Sequence, residues 1–215
     1  MNSNKFHFKE TSKKAIAYTD EFKAFNRENP RVMGLFLKLA EQLKNIGETA
    51  SEGDMSVELI DLRGFLKIHG RLFPYYKVKV GTQSFFIKTC PAVREFRDTL
   101  KARDKLQKMP NVEVIEIQFA YNYKSNGYLV VNWLDLPTIE DYLKGEVSEP
   151  KRTDLISRLS LTKEILGPGY WDNNERNAFY DENRDKIILF DLNESQQILQ
   201  IRSEAEDNVK QTLDQ

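Results

Sequence analysis

Tyr170-Trp171-Asp172-Asn173-Asn174-Glu175-Arg176-Asn177, with Asp191 fourteen residues further on in Phe190-Asp191-Leu192-Asn193, is the stretch on which the fold turns. An acid and an asparagine five apart on one irregular loop can face a substrate and a metal together, provided the chain soon returns to the metal. A hairpin supplies that return. Ala178-Phe179-Tyr180 and Ile187-Ile188-Leu189-Phe190 are apolar runs around the polar turn Asp181-Glu182-Asn183-Arg184-Asp185, the pattern of two short strands joined by a loop. Asp191 then falls just past a buried strand.

Upstream, Tyr75-Tyr76-Lys77-Val78-Lys79-Val80 and Ser84-Phe85-Phe86-Ile87-Lys88 flank Gly81-Thr82-Gln83. The alternation predicts a second hairpin, with Phe86 and Lys88 on one face. Residues 91–108 read as a helix opened by Pro91 and stopped at Met109-Pro110, with Val93, Phe96, Leu100, Ala102 and Leu106 at near-helical spacing. Glu95 is its only glutamate and flanks the apolar face; Asp98 is the alternative acid. Residues 112–123 and 128–133 predict a further hairpin around Lys124-Ser125-Asn126-Gly127. Thr138 then caps a short helix, and a longer helix spans about residues 152–165.

The order hairpin, lysine, helix, hairpin, exit, helix, D-x-x-x-x-N, hairpin, Asp resembles the protein-kinase-like superfamily. Within it the closer likeness is to the small-molecule branch of aminoglycoside and lipopolysaccharide-core kinases. The resemblance implies an α+β, two-lobed fold with an antiparallel N-lobe sheet and a reduced helical C-lobe. Residues 1–55 would be an N-terminal extension, 56–133 the strand-rich N-lobe with its C helix, and 134–215 the reduced C-lobe. It further implies a phosphotransferase that uses ATP and Mg²⁺ and acts on a hydroxyl of a small molecule or sugar-containing substrate.

By the same resemblance Lys88 would hold the α- and β-phosphates, Glu95 would orient Lys88, Asn177 and Asp191 would hold metal, and Asp172 would accept the substrate hydroxyl proton. Phe85-Phe86-Ile87-Lys88 resembles the tetrapeptide that ends on the strand lysine. Phe86 stands where the family carries a small residue, and an aromatic there is either a stacking platform for the base or a mark against the assignment. Residues 132–135, with Asn132, Trp133 and Leu134, occupy the position of the hinge whose main chain pairs with adenine.

Departures keep a second reading open. There is no G-x-G-x-x-G; only Gly64 and Gly70 lie near the expected phosphate-covering turn, where close backbone approach favours residues without a Cβ. Tyr170 replaces the usual histidine, and Trp171 stands where arginine or glycine is expected. After Asn193 one amphipathic helix is predicted over residues 197–213, with Ile198, Leu199, Ile201, Ala205, Val209 and Leu213. The alternative is therefore a pseudokinase, a nucleotide-binding or regulatory protein without catalysis. The joint presence of Asp172, Asn177 and Asp191 puts the enzyme first.

At the N-terminus, Asn29 as cap, Pro30 as opener and Gly47 as stop predict a helix over residues 30–46. Its stripe of Val32, Leu35, Phe36, Leu39, Ala40, Leu43 and Ile46 must bury against the strand lobe or a protein partner. The first eighteen residues read as loosely ordered, and residues 48–55 as a connecting loop. Lys plus Arg at 32 nearly cancel Asp plus Glu at 33, for a net charge of −1, so no electrostatic case exists for nucleic acid. Cys90 is the sole cysteine, which excludes an internal disulfide, and with only His7 and His69 a zinc site of the usual ligands is disfavoured. No apolar run reaches the ~18 residues of a membrane span and no signal peptide is visible, so the expected location is cytoplasmic.

Overall fold

A computed structural model describes residues 6–11, 14–61, 75–90, 92–123, 126–170 and 173–193, with the side chains of 44–46, 61, 123 and 126 left undescribed. Trp171, Asp172, Gly64, Gly70, His69 and the helix expected over residues 197–213 lie outside the described residues. In chain order the first elements are β1 (Phe6–Glu10), β2 (Lys14–Thr19), α1 (Asp20–Glu28), α2 (Val32–Ile46), β3 (Thr49–Glu52), β4 (Met55–Asp61), β5 (Tyr75–Val80) and β6 (Gln83–Thr89). Then come α3 (Ala92–Leu106), β7 (Val112–Val114), β8 (Ile117–Tyr123), β9 (Asn126–Asn132), α4 (Ile139–Tyr142), α5 (Glu149–Leu166), a 3₁₀ turn (Glu175–Asn177), β10 (Ala178–Asp181) and β11 (Lys186–Leu189). The fold is α+β. The chain forms two compact units, Met1–Phe96 with Glu116–Leu134, and Arg97–Ile115 with Asp135–Gln215.

Among the described residues, the first unit is built on an eight-stranded sheet in the order β1-β2-β8-β9-β6-β5-β4-β3, antiparallel throughout. Its central hairpin follows the alternation of the sequence. Phe85 and Ile87 join the core beneath α1 and α2, so Phe86 and Lys88 project from the other face. Phe36 and Leu39 of α2 are fully buried on the sheet, and Phe36 meets Tyr76 and Tyr128 edge to face, with centroids 5.3 and 5.7 Å away. Among the described residues no helix is long and apolar enough to cross a membrane.

Several local expectations change. The stretch before residue 19, expected to be loosely ordered, contains two strands, because Ala15, Ala17 and Thr19 bury one face of β2 when it pairs with β8, Lys14 opposite Tyr123. Residues 48–55 are not a simple connection but hold the hairpin of β3 and β4, turned at Gly53, whose φ of 63° suits glycine. Asn29 does not open α2. It closes α1, its main-chain N–H and its Nδ2 donating to the Phe25 carbonyl at 2.9 and 3.1 Å, while Arg31 caps α2 without a side-chain bond. The segment 112–123 also divides: β8 pairs with β9, whereas β7 runs parallel to β11.

The second unit carries the sheet β10-β11-β7, with Ile187 and Leu189 packed in one core with Leu155, Leu159 and Leu166 of α5. The turn between β10 and β11 is fastened to α5. Arg158 Nη2 donates to Asp185 Oδ2 at 3.0 Å, Lys151 Nζ to Oδ1 at 2.6 Å, and Tyr180 Oη to Oδ1 at 2.9 Å. These bonds, from Arg158 first and Lys151 next, hold the Asp185 carboxyl well below the usual carboxylate range, against the opposing effect of desolvation.

Candidate functional site

In the first unit the strand lysine and the helix glutamate meet. Lys88 Nζ lies 2.9 Å from Glu95 Oε2, and the two side chains are only 9% and 3% exposed. Seven residues suffice because α3 begins at once: the Cys90 N–H bonds to the Gly127 carbonyl at 3.2 Å and the Ala92 N–H to the Cys90 carbonyl at 2.7 Å. Glu95 therefore sits in the first turn of α3, where a negative charge also interacts favourably with the helix dipole. Asp98, the alternative acid, pairs with Lys101 at 3.4 Å.

Two residues that support this elbow escaped the sequence reading. Asn122 of β8 caps α3 from another strand, its Oδ1 accepting from the Val93 N–H at 3.1 Å. Gly127 lets the strands close on the elbow: a Cβ there would stand 2.5 Å from the Cys90 carbonyl oxygen and 2.8 Å from that of Tyr121, and would also meet Asn122 Oδ1. The available signal was a glycine placed just inside a strand, which often marks a close backbone approach.

Around Lys88, one face of the sheet is aromatic and cationic. Tyr75 and Phe86 pack with centroids 5.5 Å apart, Lys88 Nζ is 5.9 Å from the Tyr75 ring, and Lys77 Nζ lies 4.2 Å over Trp133. Phe86 thus sits in an aromatic pair beside the lysine. At the expected hinge, the Trp133 N–H donates to the Ser84 carbonyl at 2.9 Å, so that donor is used inside the sheet. Asn132, the register partner of Phe85, points to the α1 side, opposite to Lys88. Leu134 is the last residue of this unit.

In the second unit the loop that starts at Tyr170 is anchored at both ends. The Tyr170 ring is buried and its hydroxyl donates to the Asp98 carbonyl at 2.9 Å; Lys105 Nζ stands 5.3 Å over the ring. Asn173 is buried as well, its Nδ2 donating to Thr162 Oγ1 at 2.9 Å, and the Thr162 hydroxyl in turn donates to the Leu159 carbonyl at 2.7 Å. Asn173 and Thr162 were not foreseen as anchors. Asp172 lies outside the described residues.

Asn177 and Asp191 are near neighbours in backbone register at the open end of the β10–β11 hairpin. Ala178 pairs with Leu189 and the Phe190 N–H bonds to the Asn177 carbonyl at 3.0 Å, which sets Asp191 one residue beyond Asn177's partner. Both side chains are half-buried. Asp191 has a φ of 54°, a left-handed conformation that costs an L-residue about 1–2 kcal/mol, and its Oδ1 accepts from Asn193 Nδ2 at 2.9 Å. Among the described residues no group of three or more His, Cys, Asp or Glu side chains could hold a metal by itself.

No family model matches the chain, and no curated protein matches it. The solved structures with a likeness to it include that of the Cydia pomonella granulovirus kinase PK-1, at 15% sequence identity and a TM-score of 0.41. That likeness covers 63% of this chain and 50% of the viral kinase, so the chain spans about half the length of the protein it matches.

Proposed function

We propose that this chain is a kinase-like phosphotransferase that acts on a hydroxyl of a small molecule or sugar-containing substrate. The observation that carries the proposal is the buried Lys88–Glu95 pair. Two apolar residues would fill that space at no electrostatic cost, since desolvating an ion pair consumes most of its attraction. A pair retained there holds an ammonium group in one place, where a cation suits phosphate oxygens.

Asn177 and Asp191 offer an amide carbonyl and a carboxylate, the hard oxygen donors that Mg²⁺ takes alongside water and phosphate. Bound there, Mg²⁺ would neutralise charge on the phosphates. Asp172 is assigned as the acceptor of the hydroxyl proton from its D-x-x-x-x-N spacing to Asn177. Phe86 would lie under the base.

A thermal-unfolding titration with ATP and Mg²⁺ tests the binding half of the proposal, and no stabilisation would count against both an enzyme and a nucleotide-binding pseudokinase. ATP turnover that disappears in Asp172→Ala while binding persists is the expected result. Binding without turnover in the native chain would favour the pseudokinase.

A further inference from the structure

The sheet face opposite Lys88 holds a cavity of about 350 Å³ between α1 and the ends of β6, β8 and β9, a volume within the range of small-ligand pockets. Phe25 and Phe85 line it, their ring centroids 4.9 Å apart. Glu21 and Glu28 line the α1 side and are exposed. They stand two helical turns apart, roughly 10 Å along the axis. Among the described residues no cation pairs with either.

The most buried polar side chain of the lining is that of Gln118. Its side chain lines the cavity at 1% exposure, its Oε1 accepts from Thr19 Oγ1 at 2.6 Å, and among the described residues its Nε2 has no hydrogen-bond partner. A buried donor left unmade is costly and rare in folded proteins. Asn132 adds a second, exposed amide to the lining.

We propose that this cavity binds a small organic cation whose apolar body bears a carbonyl. The cationic group pairs with Glu21 or Glu28, the body lies on Phe25 and Phe85, and the carbonyl accepts from Gln118. Because Nε2 is covered in the free protein, the cavity wall moves slightly as the carbonyl enters. Cavity and Lys88 occupy opposite faces of one sheet, so the site stands whether or not the chain transfers phosphate.

Isothermal titration of the full chain with Nα-benzoyl-L-argininamide tests the proposal, with the uncharged Nα-benzoyl-L-citrullinamide as control. Saturable one-to-one binding is expected, weakened about fivefold in the double variant Glu21→Gln, Glu28→Gln, as loss of one to two surface ion pairs implies. The citrulline compound should bind more weakly than the arginine compound. Both substitutions are at exposed positions, and an unchanged circular-dichroism melt would show that the variant folds; Glu28→Gln alone serves if it does not. In the amide spectrum, the Gln118 side-chain NH₂ resonances should shift on binding. No saturable binding, equal binding of the two compounds, or equal binding by the carboxamide variant would overturn the proposal.

Discussion

Replacing Glu95 by leucine should destabilise the first unit strongly, because it strands Lys88 in a site where its side chain is only 9% exposed. Removing one partner of a buried pair costs about 3–5 kcal/mol. At roughly 2–4 °C per kcal/mol for a chain of this size, the melting temperature should fall by at least about 6–12 °C. Lys88→Met should cost a similar amount, since it leaves Glu95 buried alone. The double variant Lys88→Met, Glu95→Leu should regain most of the loss, because apolar residues fill such a site without desolvated charge. Urea unfolding of the four proteins gives the coupling energy, expected at about 3 kcal/mol or more. A single-variant cost below about 1 kcal/mol, or near-additive singles, would show that the pair is not held as the geometry indicates. The same proteins separate structure from function: the stable double variant should have no ATP-dependent activity.

Gly127→Ala should cost about 1–3 kcal/mol in urea unfolding, because both carbonyl oxygens the new Cβ meets are main chain and cannot swing aside; an unchanged midpoint would contradict the close approach. At Asp191, where φ is 54°, Asp191→Gly should be more stable than Asp191→Ala by about 1 kcal/mol, with both inactive, and equal stabilities would mean that the left-handed conformation is not kept. The Asp185 carboxyl titrates below its unfolded value of about 4, so the unfolded chain takes up that proton first as pH falls. Its stabilisation is therefore present above about pH 4 and is lost below it. Unfolding from pH 6 down to pH 3 should show a shallower acid loss in Asp185→Asn than in the native chain, and identical slopes would remove the Arg158–Asp185 network from the stability of the hairpin turn.

What the sequence disclosed was local. The period-two alternation of Tyr75 to Val80 and Ser84 to Lys88 placed β5 and β6 and put Phe86 with Lys88, and the apolar runs around Asp181 to Asp185 placed β10 and β11. Thr138 accepts from the Asp141 N–H at 3.1 Å, as its capping position implies. The parts that stayed hidden depend on partners far away in the chain. Nothing in Lys14 to Thr19 announces Tyr123 opposite Lys14, and a weakly apolar strand reads as loose chain until that pairing exists. Asn29 suits either the end of α1 or the start of α2, and without knowledge of α1 the proline after it decided wrongly. Asn122 reaches a helix 29 residues earlier, and β7 is too short to be told from the strand that follows it until the parallel pairing with β11 is known. Lys88 and Glu95, singled out from the sequence, do pair, whereas the supporting bonds of Tyr170, Asn173 and Thr162 were not legible, because a buried anchor and an exposed polar residue look alike in sequence.

The most direct measurement is a crystal structure with Mg²⁺ and a non-hydrolysable ATP analogue. Lys88 Nζ should lie within about 3 Å of an α- or β-phosphate oxygen, and an Asp191 carboxylate oxygen within about 2.1 Å of a Mg²⁺ that touches the same nucleotide. A nucleotide bound away from Lys88, or an Asp191 carboxylate that never reaches the metal, would contradict a phosphotransferase site in this chain.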